Sequence, residues 1–546
     1  MEVEIIQEDW TRGKEFKGSW LPSEGIDSFL DLELAGKLVI QAIEQQERIA
    51  LVTDYDCDGI CSAVMSRKFF LDYLGYKNIV TIVNRRNWGN GLNQHLLENI
   101  ITEHRENKIG LAISFDHTIG NEVEIAKLKN TTGMKYILTD HHSITKVYPK
   151  SADVVINVMR EDNHFLNDMK SISGCHTGYL LCVMIYKLLG KDVQDLYPLS
   201  LYSGITTVVD QMDMSHEYNA RVVRSGMRSC DIKEPSCKGL ITELDLPLML
   251  KNKNLGWGIG PYINSGNRCN LEPEVFTSVM EADERCYQVA ILENKRKKEE
   301  QKELVDQAME EYKKIYTTEH YGVVLEIDSL YGIAGVVASQ IGELVNRPCI
   351  VLRSNPEHTV LLGSGRGIWP ELDLLKIVQK IQQDYSDVVI RAAGHSGACG
   401  IELDNGKLDI FRKLFSDGVK EAIQGKIPSK KVYAYPIDSK DIHLGLALRV
   451  EEYGPYGKNW EPPCFVSKLT YNKSYSIPGG KICIWDRGVK SKISGAFFYN
   501  SELHEGNWSE KIQPNVEYEV VFEYQLGYRK GKYSCDMNIL DIRRAT

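Results

Sequence analysis

Residues 49–56 read IALVTDYD, a short apolar run that closes on two aspartates, and Cys57, Asp58 and Gly59 follow. An apolar run of this length that ends in carboxylates is what the carboxyl end of a fully buried strand looks like. The figure recurs as NIVTIVNRR (78–86), GLAISFDH (110–117), KYILTDHH (135–142) and ADVVINVMR (152–160). Helix-length stretches such as CSAVMSRKFFLDYL (61–74) lie between these runs. Strands alternating with helices predict a doubly wound α/β domain over 40–225, with functional groups gathered beyond the carboxyl ends of its strands.

Outward from that core the chain changes character several times. Residues 1–39 are a short N-terminal extension. Residues 226–318 hold a glycine-rich turn, GWGIGPYINSGNR (256–268), and then a charged stretch from Glu284 to Thr318 without Pro or Gly, which predicts one long connecting helix. Alternation resumes over 319–427 (GVVLEID, GIAGVVASQIGELVN, PCIVLR, TVLLGSGRG), a second and smaller α/β domain. From 430 to 546, short strands broken by PYG, PGG, EGN and GYRKGK predict an antiparallel β barrel or sandwich.

Composition narrows the function. The 546 residues are 43% hydrophobic and 26% charged, enough for several cores, and the net charge of −10 excludes a globally basic nucleic-acid coat. The charge is uneven, however: residues 430–546 carry +3, against −13 for the rest, and hold 18 of the 49 aromatics. Basic groups interleaved with rings suit a single-strand platform, with Trp460, Trp485, Phe497, Phe498 and Lys490 as candidates. A small barrel also needs aromatics for its own core. No apolar run is long enough for a membrane span, the acidic start lacks a signal-peptide layout, and the thirteen cysteines form no CxxC pair. These features predict a cytoplasmic protein with reduced thiols and no membrane contact.

The chemistry lies in the strand ends. Asp54, Asp56 and Asp58 alternate, and would share one face if the chain stayed extended. Asp116 closes the third run, Asp140, His141 and His142 the fourth, and Asp210 closes a further apolar run, SGITTVVD, read as another strand end. Singly, each is as well explained as a cap or turn residue. Together they form an oxygen-rich set with imidazole, suited to Mn²⁺, Mg²⁺ or Zn²⁺ and able to hold two metals through a shared carboxylate.

These motifs, in this order, resemble those of the DHH phosphoesterase superfamily, whose namesake tripeptide is Asp140-His141-His142. Further segments are similar to its RecJ-like exonuclease branch: Asn84-Arg85 with Gly89-Asn90-Gly91-Leu92, Asn264 with Arg268, and Gly332-Ile333-Ala334-Gly335. So are Gly363-Ser364-Gly365-Arg366, Gly394-His395, and Gly454-Pro455-Tyr456-Gly457-Lys458-Asn459 with Glu461-Pro462. The resemblance runs over residues 48–543. Departures are Val52 where other DHH branches carry His, His117-Thr118 after Asp116 in place of Asn-Gly, Tyr262 in place of Arg, and Ala393 in place of Gly.

The resemblance implies a parallel-sheet DHH domain, a connecting helix, a DHHA1-like substrate-binding domain and a C-terminal OB-fold barrel. It implies two divalent cations, Mn²⁺ foremost and Mg²⁺ the alternative, on Asp54, Asp56, Asp58, Asp116, His141 and Asp210, with Asp116 as bridge. Asp140 and His142 would be the catalytic pair, and Arg85, Asn264, Arg268, Ser364, Arg366, Gly394 and His395 would grip the substrate. The implied reaction is 5′ to 3′ degradation of single-stranded DNA to mononucleotides in repair or recombination. A monomer is implied, with single-strand-binding protein or a helicase as partner. Two rivals remain open: a phosphodiesterase for short oligoribonucleotides or cyclic dinucleotides, and an inactive DHH-fold replication scaffold.

Overall fold

The computed structural model describes residues 2–6, 20, 22, 25–144, 147–163, 167–229, 254–265, 284–316, 320–327, 332–354, 359–428, 431–477, 480–486, 492–498, 512–529 and 532–544. After a short strand β1 (Glu2–Ile5), the five apolar runs become β2 (Arg48–Thr53), β3 (Ile79–Val83), β4 (Ile109–Phe115), β5 (Lys135–Asp140) and β6 (Val154–Asn157). They form one parallel sheet in the order β3-β2-β4-β5-β6. Side chains alternate across a strand, so one run feeds two cores. Ile49 and Leu51 join a cluster built with α1 (Leu32–Glu44), α2 (Cys57–Lys68) and, beyond the intervening helices α3 (Gln94–Asn107) and α4 (Glu122–Thr132), α5 (Gly174–Leu188). Ala50 and Val52 face the other way, onto α3 and α4. Trp20, Ile26 and Phe29, from the stretch read as an extension, are buried in the first of these cores.

One expected strand is a helix. The run before Asp210 forms α6 (Ser200–Val209), packed on α7 (Glu217–Ser229). A Cβ on Gly204 would stand 2.7 Å from the Cα of Gly226, so the two helix backbones touch at a pair of glycines. A short apolar run is ambiguous between strand and helix, and here tertiary packing decides.

The expected connecting helix spans Glu284–Ile315. At 1.5 Å per residue its 32 residues reach about 48 Å, enough to join two cores. Ala290 lies in the core of the first domain, while Leu304 and Ala308 lie in that of the second. The second sheet has the order β10-β11-β9-β8-β7, from β7 (Val323–Glu326), β8 (Cys349–Ser354), β9 (Val360–Arg366), β10 (Val389–His395) and β11 (Ala398–Asp404). Only β7 and β8 are parallel.

The last sheet closes on itself. It comprises β12 (Lys431–Pro436), β13 (Cys464–Ile477), β14 (Gly480–Asp486), β15 (Lys492–Phe498), β16 (Glu517–Arg529) and β17 (Lys532–Arg544). Strand β13 pairs with β14 through one half and with β16 through the other, which shuts the barrel. Strand β1 extends it by pairing in parallel with β12. The barrel is not wholly antiparallel, since β12–β13 and β15–β17 are also parallel. Trp485 is fully buried in the barrel core with Tyr471 and Tyr518, so it is no platform for bases. Trp460 packs on the core of the first domain. Phe497 and Phe498 lie on β15, their side chains outside the described residues, as is Lys490. Among the described residues no helix is long and apolar enough to cross a membrane.

Candidate metal centre

The chain turns sharply after β2, and the three alternating aspartates converge by folding rather than by staying extended. Asp54 follows the strand. Asp56 caps α2, its Oδ1 accepting from the Gly59 amide at 3.0 Å, and Asp58 sits in the first helical turn. A Cβ on Gly59 would lie 2.2 Å from the Asp54 carbonyl oxygen, so only glycine permits the turn. Asp58 reaches the start of α5 and accepts from the amides of Gly174 (2.7 Å) and Cys175 (2.8 Å). Free amides at a helix start favour a carboxylate there. Asn264 is drawn in too, its Oδ1 accepting from the Cys57 amide at 3.0 Å, so it positions the acidic turn.

Asp116 ends β4 at a φ of 65°, with 2% exposure. Its Oδ1 is buried and accepts no hydrogen bond, and a Cβ on Gly174 would come within 2.4 Å of it. His141 Nε2 stands 3.2 Å from Asp116 Oδ1, 3.5 Å from Asp210 Oδ2 and 3.9 Å from Asp58 Oδ2. Asp210 arrives at the carboxyl end of α6. Two residues after Asp116, Thr118 has a φ of 82°, a left-handed value rare for a β-branched residue. Its hydroxyl lies 2.9 Å from that of Ser114, a buried contact that helps to hold the turn.

Asp140, expected to act with His142 on substrate, turns away from the cluster and is a positioning residue. Fully buried, its Oδ1 accepts from the amides of His141 (2.7 Å) and His142 (3.0 Å) and from His142 Nδ1 (2.8 Å), and its Oδ2 from the Ile119 amide (3.0 Å). Burial alone would raise its pKa, but the hydrogen bond and charge of His142 hold it well below the usual carboxylate range. Burial likewise opposes the charge on His142, yet Asp140 outweighs it and lifts the imidazole to about 10. His142 is therefore an exposed imidazolium whose Nε2–H is free to donate toward the cluster. His141, desolvated and beside that cation, is lowered to about 4 and stays neutral, as a metal ligand must.

The carboxylates repel one another. Burial first, and then the charge of Asp56, raise Asp54 and Asp58 to about 7. Burial and the neighbouring aspartates raise Asp116 and Asp210 well above the ordinary value. Such a cluster needs cations. Three sets of ligand atoms each lie within 4.8 Å of one another: Asp54, Asp56 and Asp116; Asp58, His141 and Asp210; and Asp116, His141 and His142. These oxygen and imidazole donors suit hard divalent cations, which the first and second sets would each be able to hold, and the unsatisfied Oδ1 of Asp116 leaves a further lone pair for such an ion.

Around the rim the expected grips divide. Arg85 lies over the Trp88 ring (4.9 Å), and Arg86, which sequence reasoning missed, lies over the Tyr55 ring (5.0 Å). Its only signal was the doubled arginine after Asn84. Arg366 donates to Ser364 Oγ (2.6 Å) and to the Gly365 carbonyl (2.8 Å), and lies against Gly335 at the start of the helix Ala334–Val345. Burial, and the nearby charge of Arg86, lower its pKa. Among the described residues neither Arg86 nor Arg366 has a carboxylate within 4.0 Å, so neither guanidinium charge is taken up by an ion pair there. Gly394, at a φ of 146°, leaves 2.4 Å between a built Cβ and the Ala398 carbonyl oxygen, so the backbone there requires glycine. His395 ends β10 with its side chain outside the described residues, and Arg268 lies outside them altogether.

Comparison with known proteins agrees with this architecture. Residues 48–205 match the DHH family, N-terminal domain. The chain is 24% identical over 460 residues to the single-stranded-DNA-specific exonuclease RecJ of Haemophilus influenzae, covering 80% of this chain and 77% of that one. It is 26% identical over 476 residues to RecJ of Salmonella typhimurium, covering 82% and 78%. Among solved structures, RecJ from Thermus thermophilus in complex with Mn²⁺ superposes with a TM-score of 0.75 at 19% identity, covering 96% of this chain and 74% of that one.

Proposed function

On the premise that this is a RecJ-like chain built around a DHH-family domain, we propose that it is a nuclease that degrades single-stranded DNA from the 5′ end to mononucleotides, in repair or recombination, with two divalent cations. The observation that carries the reading is the convergence of two donor sets, one containing Asp116 and the other containing His141, whose Nε2 stands 3.2 Å from the buried Asp116 Oδ1 that has no hydrogen-bond partner. Relatives named as single-strand-specific exonucleases, and RecJ structures holding Mn²⁺ or Mg²⁺, support the substrate class and the metals.

Asp54, Asp56, Asp58, Asp116, His141 and Asp210 would hold the cations, Mn²⁺ or Mg²⁺. When bound, such ions lower the pKa of an attacking water and neutralise charge on the phosphate. The chain's own residues do the rest. Asp140 fixes His142 in its charged form, and the free Nε2–H of His142 donates to a phosphate oxygen as charge builds on it. Arg86 and Arg366, with Ser364 steering the latter, take a second phosphate. Neutral His141 leaves the buried aspartates for the cations.

The test is digestion of 5′-labelled and 3′-labelled single-stranded DNA and RNA with Mn²⁺, wild type beside Asp116→Ala. Early release of a 5′-labelled mononucleotide from DNA, absent in the variant, is the expected result. Turnover restricted to very short or cyclic substrates, or DNA binding without turnover, would overturn it.

A further inference from the structure

The turn Gly457–Trp460 belongs to the C-terminal region but is built against the metal-binding domain. Gly457 and Trp460 exchange backbone hydrogen bonds of 2.8 and 3.0 Å, leaving Lys458 and Asn459 at the tip. Asn459 has a φ of 61°, the left-handed value that a turn can require at its third residue and that asparagine tolerates. The tip is pinned to the loop directly after Asp210. The Met214 amide donates to the Lys458 carbonyl at 2.9 Å, and Asn459 Nδ2 donates to Asp213 Oδ2 at 2.7 Å. A Cβ on Gly457 would stand 2.6 Å from Met214 Cγ, so glycine allows the close approach. Behind the tip, Arg224 of α7 donates to the carbonyls of Glu452 and Gly454, and Trp460, stacked with Tyr456, rests on the core of the first domain.

This anchoring fixes the backbone of Lys458 beside a metal-ligand loop and leaves its side chain exposed. The two residues that hold the tip, Asp213 and Met214, follow Asp210 closely in the same loop, so the lysine is anchored next to the chain segment that carries that carboxylate. Among the described residues no carboxylate lies within 4.0 Å of its ammonium, so the charge is not consumed by an ion pair. Two divalent cations would offset most but not all of the charge of five aspartates, so an incoming phosphodiester gains from further cationic groups at the rim, and His142, held by Asp140 at 2.8 Å, is one. A compact ammonium on a flexible stem is suited to be another.

We propose that Lys458 holds a phosphate oxygen of the nucleic-acid strand beside Asp210, so that the substrate site is completed by the C-terminal region and is not confined to the metal-binding domain. This rests on the nuclease reading above. It is tested with the full chain and 5′-labelled single-stranded DNA in Mn²⁺, comparing wild type, Lys458→Met and Lys458→Arg across a salt series. Lys458→Met is expected to lower kcat/KM about tenfold, Lys458→Arg to restore most of it, and thermal melting to stay unchanged. One lost phosphate contact should also reduce the slope of log affinity against log salt by about 0.7.

Unchanged kcat/KM and salt slope in an active Lys458→Met enzyme would overturn the contact and leave the nuclease standing. An unchanged slope with tighter Mn²⁺ binding, measured by titration calorimetry, would also overturn it, since the lysine would then act on Asp210 alone. A wild type that digests no nucleic acid would overturn both readings.

Discussion

Asp116 and Asp140 close adjacent strands of one sheet, both almost without solvent exposure, yet their surroundings differ in kind. Asp140 accepts four hydrogen bonds and is held ionised, whereas Asp116 keeps a bare oxygen among like charges and is pushed toward its neutral form. Residue type and position are the same. What separates scaffold from site is whether the protein itself has already occupied the lone pairs.

The sharpest way to break this contrast is Asp116→Asn. Activity on single-stranded DNA with Mn²⁺ should fall at least about a thousandfold, roughly 4 kcal/mol of barrier, while metal-free melting changes little or rises. A marked loss of metal-free stability would mean that Asp116 belongs with Asp140. Asp140→Asn should do the reverse, costing about 2–4 kcal/mol in chemical denaturation, because buried donors lose an ionised acceptor. The residual activity of that variant should follow its folded fraction together with the lost charge on His142.

Gly174→Ala places a methyl against Asp116 Oδ1 and should weaken Mn²⁺ binding about tenfold or more in calorimetry, with the hydrogen bonds to Asp58 largely kept. Titration reads the same contrast more gently. Asp54 and Asp58 hold protons to about pH 7 in the folded chain but only to about 4 when unfolded, so the folded state binds more protons between these values. Metal-free stability contributed by these groups is fully present below about pH 4 and is lost as the pH rises through 7. Melts with chelator should show that fall, and Mn²⁺ should flatten it. The smallest effect belongs to Thr118→Gly: relief of the left-handed strain offsets the lost Ser114 contact, and stability should stay within about 1 kcal/mol. A large drop in activity there would show that the Thr118 side chain, not the backbone shape, supports Asp116.

Much of the site was legible because buried parallel strands announce themselves as apolar runs, and a polar residue at the end of such a run must sit at the crevice. Asp54, Asp116, Asp140 and His141 follow from that rule. The route to Asp210 did not, since SGITTVVD has the composition of a strand and becomes a helix only through the Gly204–Gly226 crossing. The alternation of Asp54, Asp56 and Asp58 suggested an extended face, but capping of α2 by Asp56 achieves the convergence instead. Whether a carboxylate is saturated, as at Asp140, depends on amides that fold in beside it, and spacing alone carries no sign of that. Trp485 and Trp460 were equal candidates by composition, and burial sends one to each of two different cores.

The pairing of Glu2 with Lys431 in the β1–β12 ladder sets an order on folding. The loop that this contact closes contains both α/β domains, and closure entropy grows with loop length, so the ladder gains nothing until those domains have formed. Four residues of strand therefore act as the last latch of the fold. Their amides should be among the first in any sheet to exchange with solvent as the protein opens.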